Sequence, residues 1–153
     1  NFDNLQKVIK TIISLSGFIK VIFPVHPRTM SNIKKFNLEE LYSGNSNIII
    51  SEPLGYINFI KLIKSGKFVI TDSGGIQEET TYLKIPCLTV RESTERPVTV
   101  TIGSNTMMPL DENIIVTTAR NILENNYKKS NIPPLWDGKA SERIVKIIAD
   151  YLK

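Results

Sequence analysis

The chain has 153 residues, 41% hydrophobic and 22% charged, with a formal net charge of +4. This supply of Ile, Leu and Val excludes low-complexity disorder and suffices for one domain with one core. A lone Cys87 excludes a disulfide scaffold and points to a reduced, cytoplasmic protein; no apolar run approaches the roughly 18 residues of a membrane span. The excess of positive charge favours an anionic partner such as phosphate or nucleic acid, with a solvated lysine surface as the plainer explanation.

The polar start, Asn1-Phe2-Asp3-Asn4, is no signal peptide and leads almost directly into a helical pattern of Leu5, Val8, Ile9, Ile12, Ile13 and Leu15. An opening without Met and inside an element suggests that something precedes it. Gly17 ends this helix, and Lys20-Val21-Ile22-Phe23 reads as a short buried strand running into Pro24-Val25-His26-Pro27. A lysine-rich amphipathic segment follows around Ile33, Phe36, Leu38 and Leu41. Ile48-Ile49-Ile50 is a second strand, stopped by Ser51-Glu52-Pro53. Leu54 to Ile63 reads as a helix closed by Gly66, with Tyr56 and Phe59 at core spacing. Phe68-Val69-Ile70-Thr71 is the third strand, Asp72-Ser73-Gly74-Gly75 a tight turn, and Ile76 to Leu83 a helix. Pro86 introduces the fourth strand, Cys87-Leu88-Thr89-Val90, and Pro97 suits the first residue of a short helix. Ser104 to Met107 gives a fifth strand, before helices near Asp111–Asn125 and Ala140–Leu152. Short apolar strands alternating with helices predict one α/β domain, 1–153, with a parallel sheet covered on both faces.

The sharpest feature is Thr71 through Glu79, which leaves the carboxyl end of a strand and opens a helix. Ligands of open α/β sheets bind outside those strand ends. Gly74 and Gly75 leave backbone N–H groups uncovered, so an anion can approach the positive end of the helix dipole. The hydroxyl of Ser73 either caps the helix or touches a phosphate. Glu78 and Glu79 favour the dipole; an acid there that served a ligand would accept from sugar hydroxyls, since it would repel phosphate. Arg96, immediately before Pro97, either grips phosphate oxygens bidentately or pairs with Glu92 or Glu95. His26, at a strand's carboxyl end, is either a structural hydrogen-bonding residue or part of a site. One His and one Cys give no support for a metal, and Ser73 lacks the Gly-x-Ser-x-Gly elbow of a hydrolase.

These pieces in this order resemble the carboxyl-terminal domain of the non-hydrolysing UDP-N-acetylglucosamine 2-epimerases. The stretches that carry the resemblance are Pro24–Pro27, Glu52–Phe59, Thr71–Glu79 and Arg91–Pro97, with Gly138-Lys139-Ala140-Ser141-Glu142-Arg143-Ile144 matching the family's closing pattern. The resemblance implies the second Rossmann-like half of a glycosyltransferase-B-type fold, without its first strand. It implies interconversion of UDP-N-acetylglucosamine and UDP-N-acetylmannosamine by elimination and re-addition of UDP, with no cofactor and no metal. Carried over, Ser73, Gly74 and Gly75 would hold the pyrophosphate and Glu79 the ribose. Arg96 would neutralise the departing diphosphate, a catalytic role. Phe59 and the backbone near Leu54 would contact uracil, and His26 a second UDP-sugar.

Val98 stands where the family commonly has Glu. Asn1 resembles the last residue of a motif that opens the family's second domain, so the catalytic carboxylates of the amino-terminal domain are expected outside this chain. The partners implied are that amino-terminal domain and a second copy in a homodimer, with no nucleic acid and no membrane. A non-catalytic nucleotide-sugar binding module and a hydrolysing epimerase are the alternatives; the His-Pro and Thr-Glu-Arg-Pro patterns argue against the second. A Rossmann-like half orders its strands 3-2-1-4-5-6. With the first strand absent, Lys20–Phe23 and Phe68–Thr71 are expected either to pair directly or to have their edges filled by another chain.

Overall fold

Ile9, Ile12 and Leu15 recur at helical spacing and all are buried, which makes the first element, α1 (Phe2–Ser16), an amphipathic helix. The computed structural model describes residues 2–153, so the reading of Asn1 as the end of an upstream motif lies outside the described residues. After α1 come β1 (Val21–Pro24), α2 (Pro27–Lys35), β2 (Ile48–Ser51), α3 (Tyr56–Ser65) and β3 (Val69–Thr71). Then follow α4 (Gly74–Leu83), β4 (Cys87–Val90), α5 (Pro97–Thr101), β5 (Asn105–Met108), α6 (Glu112–Leu123) and α7 (Ala140–Tyr151). Gly74 and Gly75 are therefore the first residues of a helix, where a separate turn was expected.

Every strand pairing is parallel. The spatial order is β2-β1 in one sheet and β3-β4-β5 in another, the neighbours a Rossmann-like half requires. Direct pairing of β1 with β3 does not occur: they lie in separate sheets with no backbone ladder between them. The reason is packing around α1. Its Ile9 belongs to a cluster with Val25, Ile33 and Leu38, while its Leu15 belongs to another with Leu88, Met108, Ile115 and Ala119. The expected single core is thus two clusters bridged by one helix. Sliding β1 onto β3 would pull the first cluster off α1. Nor is the first strand fully buried, since Ile22 at its centre is 41% exposed.

The three-stranded sheet has two unlike faces. Leu88, Val90 and Met108 point to one face, where α1 and α6 cover them. Cys87, Thr89 and Asn105 point to the other, and all three are completely buried. There α4 lies on the sheet, joined by a hydrogen bond from Asn105 Nδ2 to Gln77 Oε1 at 3.0 Å. Helices on both faces follow from the alternation of side chains along a strand. Gly103 brings the turn before β5 against α4: a Cβ there would lie 2.4 Å from Thr81 Oγ1 and 2.6 Å from the Thr99 carbonyl. The outer edge of β5 is covered by a strap, in which Lys128 Nζ donates to the carbonyls of Val100 and Asn105 and Tyr127 packs beside Thr106. Burial pushes the Lys128 ammonium below its ordinary pKa and the Tyr127 phenol above its own.

The closing segment is organised by Arg143. Its guanidinium forks onto Asp137, at 2.9 and 3.0 Å, and also donates to the Leu135 carbonyl. Gly138, at φ +78°, supplies the left-handed residue this turn needs. A neighbouring stripe of α7 is apolar and uncovered among the described residues, with Ile144, Ile147 and Ile148 all more than half exposed.

Two outcomes are expected. The free edges of β1 and β3 template pairing with another chain, so light scattering should show mass that rises with protein concentration; a monodisperse monomer throughout would mean that these edges need no partner. The Arg143 hydrogen bonds hold the Asp137 carboxyl down to about 2 from an ordinary 3.8. A depressed carboxylate pKa stabilises the fold above the unfolded value and loses that effect as pH falls through the folded one. The Leu135–Arg143 turn should therefore stay ordered from neutrality to about pH 4 and loosen between there and about pH 2. NMR titration of the Asp137 carboxyl carbon reads this, and Asp137→Asn should abolish the transition.

Candidate functional site

Parallel strands bring their carboxyl ends to a common side of each sheet. The loops leaving those ends carry the motif residues: His26 after β1, Leu54 after β2, Ser73 after β3 and Arg91 to Arg96 after β4. Ser73 occupies the cap position of α4 with an extended backbone, φ −85° and ψ 130°, yet its hydroxyl makes no capping bond. Its N–H donates instead to Thr71 Oγ1 at 3.0 Å. Of the two roles open to that hydroxyl, capping is therefore not the one adopted.

The first N–H groups of α4 have no intrahelical acceptors and carry the positive end of its dipole. A Cβ built on Gly75 would meet nothing within 4 Å, so the ground above it is open. At Gly74 a Cβ would lie 2.5 Å from Glu95 Oε1, which shows the Glu95 carboxylate resting on this glycine. Glu95 also pairs with Arg91 at 3.3 Å. A backbone hydrogen bond from its own N–H, assisted by the charges of Arg91 and Arg96, holds its carboxyl below the usual range.

Arg96 is placed beside this helix start but does not pair with Glu92 or Glu95. Its Nε lies 2.9 Å from Glu78 Oε1, with the two side chains 40% and 42% exposed. Glu95 is engaged by Arg91, which leaves Glu78, one turn into α4, as the acid within reach. The contact lies off the N–H axis, so the Nε–H lacks a well-directed acceptor. Glu79, next along α4, is half-buried, and its carboxylate makes no hydrogen bond or ion pair among the described residues. The structure thus gathers Ser73, Gly74, Gly75, Glu79 and Arg96 at one place.

The remaining candidates sit apart from that group. Leu54 is 38% exposed in the loop after β2, and Phe59 is half-buried in α3. No hydrogen bond or ion pair joins either to α4 among the described residues. Tyr56, expected in the core with Phe59, is 65% exposed, because it opens α3 on the solvent side. His26 caps α2, its Nδ1 accepting from the Arg28 N–H at 3.2 Å. An open cleft of about 670 Å³ lies beside it, lined among others by Val25, Met30, Lys34, Ser51 and Glu52.

Four residues behind the site escaped the sequence reading. Gln77, Thr94, Thr99 and Asn105 form a connected polar group under Arg96. Gln77 and Thr94 lie inside the motif stretches Thr71–Glu79 and Arg91–Pro97, though with no role assigned, and Asn105 is marked as a polar residue where a buried strand calls for an apolar one. Among the described residues no His, Cys, Asp or Glu cluster could hold a metal ion, and no helix is long and apolar enough to cross a membrane.

Comparison with known proteins places this geometry. The family described as UDP-N-acetylglucosamine 2-epimerase matches residues 1–149. This chain belongs to that family. It is 37% identical over 153 residues to the UDP-N-acetylglucosamine 2-epimerase of Methanocaldococcus jannaschii, covering 97% of this chain and 41% of that protein. The corresponding figures for the Methanococcus maripaludis enzyme are 39% identity over 150 residues, 97% and 40%. The M. jannaschii epimerase solved in complex with UDP-GlcNAc and UDP superposes with a TM-score of 0.80 at 37% identity, over 97% of this chain and 41% of that one. The Neisseria meningitidis epimerase bound to UDP-GlcNAc does so at 0.81 and 28% identity, over 97% and 41%. The chain spans about two-fifths of the length of these relatives.

Gly75 gives a test of the open ground at the start of α4. In Gly75→Ala the added Cβ meets no protein atom, and Ala in a helix is favoured over Gly by about 0.5–1 kcal/mol. Urea denaturation should show the variant equally or more stable. Titration with pyrophosphate should show weaker binding, because the methyl stands where the anion would approach.

Proposed function

We propose that this chain is the UDP-binding part of an epimerase that interconverts UDP-N-acetylglucosamine and UDP-N-acetylmannosamine. The reading is carried by one observation: a helix N-terminus that is open above Gly75, with the Arg96 guanidinium beside it. Relatives solved with UDP-GlcNAc and UDP support the choice of ligand. In this reading the first N–H groups of α4 and the Ser73 hydroxyl hold the diphosphate, and the Glu79 carboxylate, which has no partner among the described residues, accepts from the ribose hydroxyls. Phe59 and the backbone near Leu54 take the uracil. His26, beside its own cleft, takes a second UDP-sugar.

The reaction removes the proton at C2 of the sugar, expels UDP to leave a glycal, and returns UDP after protonation on the other face. Breaking the glycosidic bond builds negative charge on the leaving diphosphate. Arg96 and the α4 dipole act there, on charge larger in the transition state than in bound substrate. The proton-transfer groups belong to an amino-terminal domain, so this chain alone binds ligand without turning it over. That domain would cover the exposed Ile144, Ile147 and Ile148 of α7. Assembly as a homodimer and residence in the cytoplasm, where the buried Cys87 stays a free thiol, complete the proposal.

Titration calorimetry with UDP and ADP tests it. UDP should bind more tightly, because Leu54 and Phe59 read the base, and Phe59→Ala should cost about 1–3 kcal/mol, the scale of base–aromatic stacking. Equal affinity for the two nucleotides would remove the assignment to uridine.

A further inference from the structure

The backbone of Arg96 is held from both sides by threonine hydroxyls. Its N–H donates to Thr94 Oγ1 at 3.0 Å, and its carbonyl accepts from Thr99 Oγ1 at 2.7 Å. Neither hydroxyl stands alone. Thr94 Oγ1 donates to Gln77 Oε1 at 2.7 Å, and Thr99 Oγ1 accepts from Asn105 Nδ2 at 3.1 Å. Gln77 and Asn105 are joined to each other at 3.0 Å, and Asn105 Oδ1 accepts from Thr89 Oγ1 at 2.6 Å. Gln77, Asn105, Thr89 and Thr99 are all completely buried.

The roles of donor and acceptor in this chain follow from one another. The Thr94 hydroxyl spends a lone pair on the Arg96 N–H, so its own proton is free for the Gln77 oxygen. The Thr99 hydroxyl spends its proton on the Arg96 carbonyl, so it receives from the Asn105 amide. Each threonine side chain is thus fixed in one rotor state by a buried amide that water cannot reach. The backbone at residue 96 cannot turn without breaking a part-buried bond backed by a fully buried amide, at a cost above that of a solvated one.

We infer that Gln77 and Asn105 are positioning residues: an amide pair that acts through Thr94 and Thr99 to aim the Arg96 guanidinium at the diphosphate site. The inference rests on the proposed role of Arg96 toward UDP, but the clamp itself is a property of the free chain. Gln77 lies on α4, the same helix whose N-terminus carries Gly74 and Gly75. One rigid element therefore sets both halves of the site, the N–H groups from its start and the arginine through its fourth residue. Reacting groups held in this way avoid the entropy of finding their geometry after ligand arrives.

The test pairs UDP titration with amide hydrogen exchange at Arg96, both on this chain. Gln77→Met removes the accepting oxygen at similar volume. It should weaken UDP about tenfold and add nothing in an Arg96→Ala background, the mark of one residue acting through another. Exchange at the Arg96 N–H should rise about tenfold or more while amides of β4 stay protected. Thr94→Val, away from the deepest layer, should repeat both effects should Gln77→Met fold poorly, and Thr94→Ser should reverse them. Additive losses of affinity in the double variant overturn the inference, as does unchanged exchange at Arg96. If the unsubstituted chain binds no UDP while exchange still rises in the variants, the clamp stands and the UDP assignment falls.

Discussion

The start of α4 does three things at once, and the rest of the domain is arranged to permit them. It ends a buried strand, exposes a row of N–H groups without acceptors, and sends Gln77 into the layer between helix and sheet. Two glycines make the first turn possible without side chains over the N–H groups. Gly103 allows the same helix to lie close on the turn before β5, where even a methyl would meet Thr81 and the Thr99 carbonyl. A helix packed this tightly cannot slide, and so the N–H groups at its start cannot drift relative to the loop that carries Arg96.

The price of that arrangement is a polar interior. Most parallel sheets bury apolar side chains on both faces, yet here the α4 face of β4 and β5 carries Cys87, Thr89 and Asn105. Burial without partners would be costly. The layer meets most of this cost by bonding to itself, from Thr89 through Asn105 to Thr99 and from Asn105 through Gln77 to Thr94, while Gln77 Nε2 and Thr81 Oγ1 stay without a partner among the described residues. Burial drives the Cys87 thiol further from ionisation, and contacts with Thr80 and Thr89 offset that only in part, so it behaves as a small neutral member of the layer.

Much of this was legible before any coordinates. Runs such as Ile48-Ile49-Ile50 and Cys87-Leu88-Thr89-Val90 mark strands because nothing but a buried strand uses so many consecutive apolar or β-branched residues over so short a span. The strand order came from topology, and the gathering of Ser73, Gly74, Gly75, Glu79 and Arg96 came from motifs at strand carboxyl ends. What could not be read was anything settled by packing between distant segments. The partner of Arg96 depends on which acid α4 turns toward it. The exposure of Tyr56 depends on where α3 leaves the sheet. The split of the core into two clusters depends on α1 reaching both, which local periodicity does not encode. No sequence pattern pairs Gln77 with Asn105, and only the packing of α4 on β5 makes them neighbours.

The charges at the site already anticipate an anion. Glu95 rests on Gly74 at the positive end of α4, and Glu78 lies against Arg96. In the proposed reading an incoming diphosphate would displace both carboxylates, so these pairs would oppose binding by whatever they are worth. Both are solvated: Arg91 and Glu95 are 38% and 52% exposed, and Arg96 and Glu78 about two-fifths. Exposed pairs of this kind contribute about 0–1 kcal/mol, and the Arg96–Glu78 contact is poorly directed as well. Their removal is therefore cheap. The backbone of Arg96 is held by part-buried bonds backed by fully buried amides, whereas its guanidinium is paired with an exposed acid that water readily replaces. A site built this way balances the charge of the arginine with an acid that a better anion would displace at little cost.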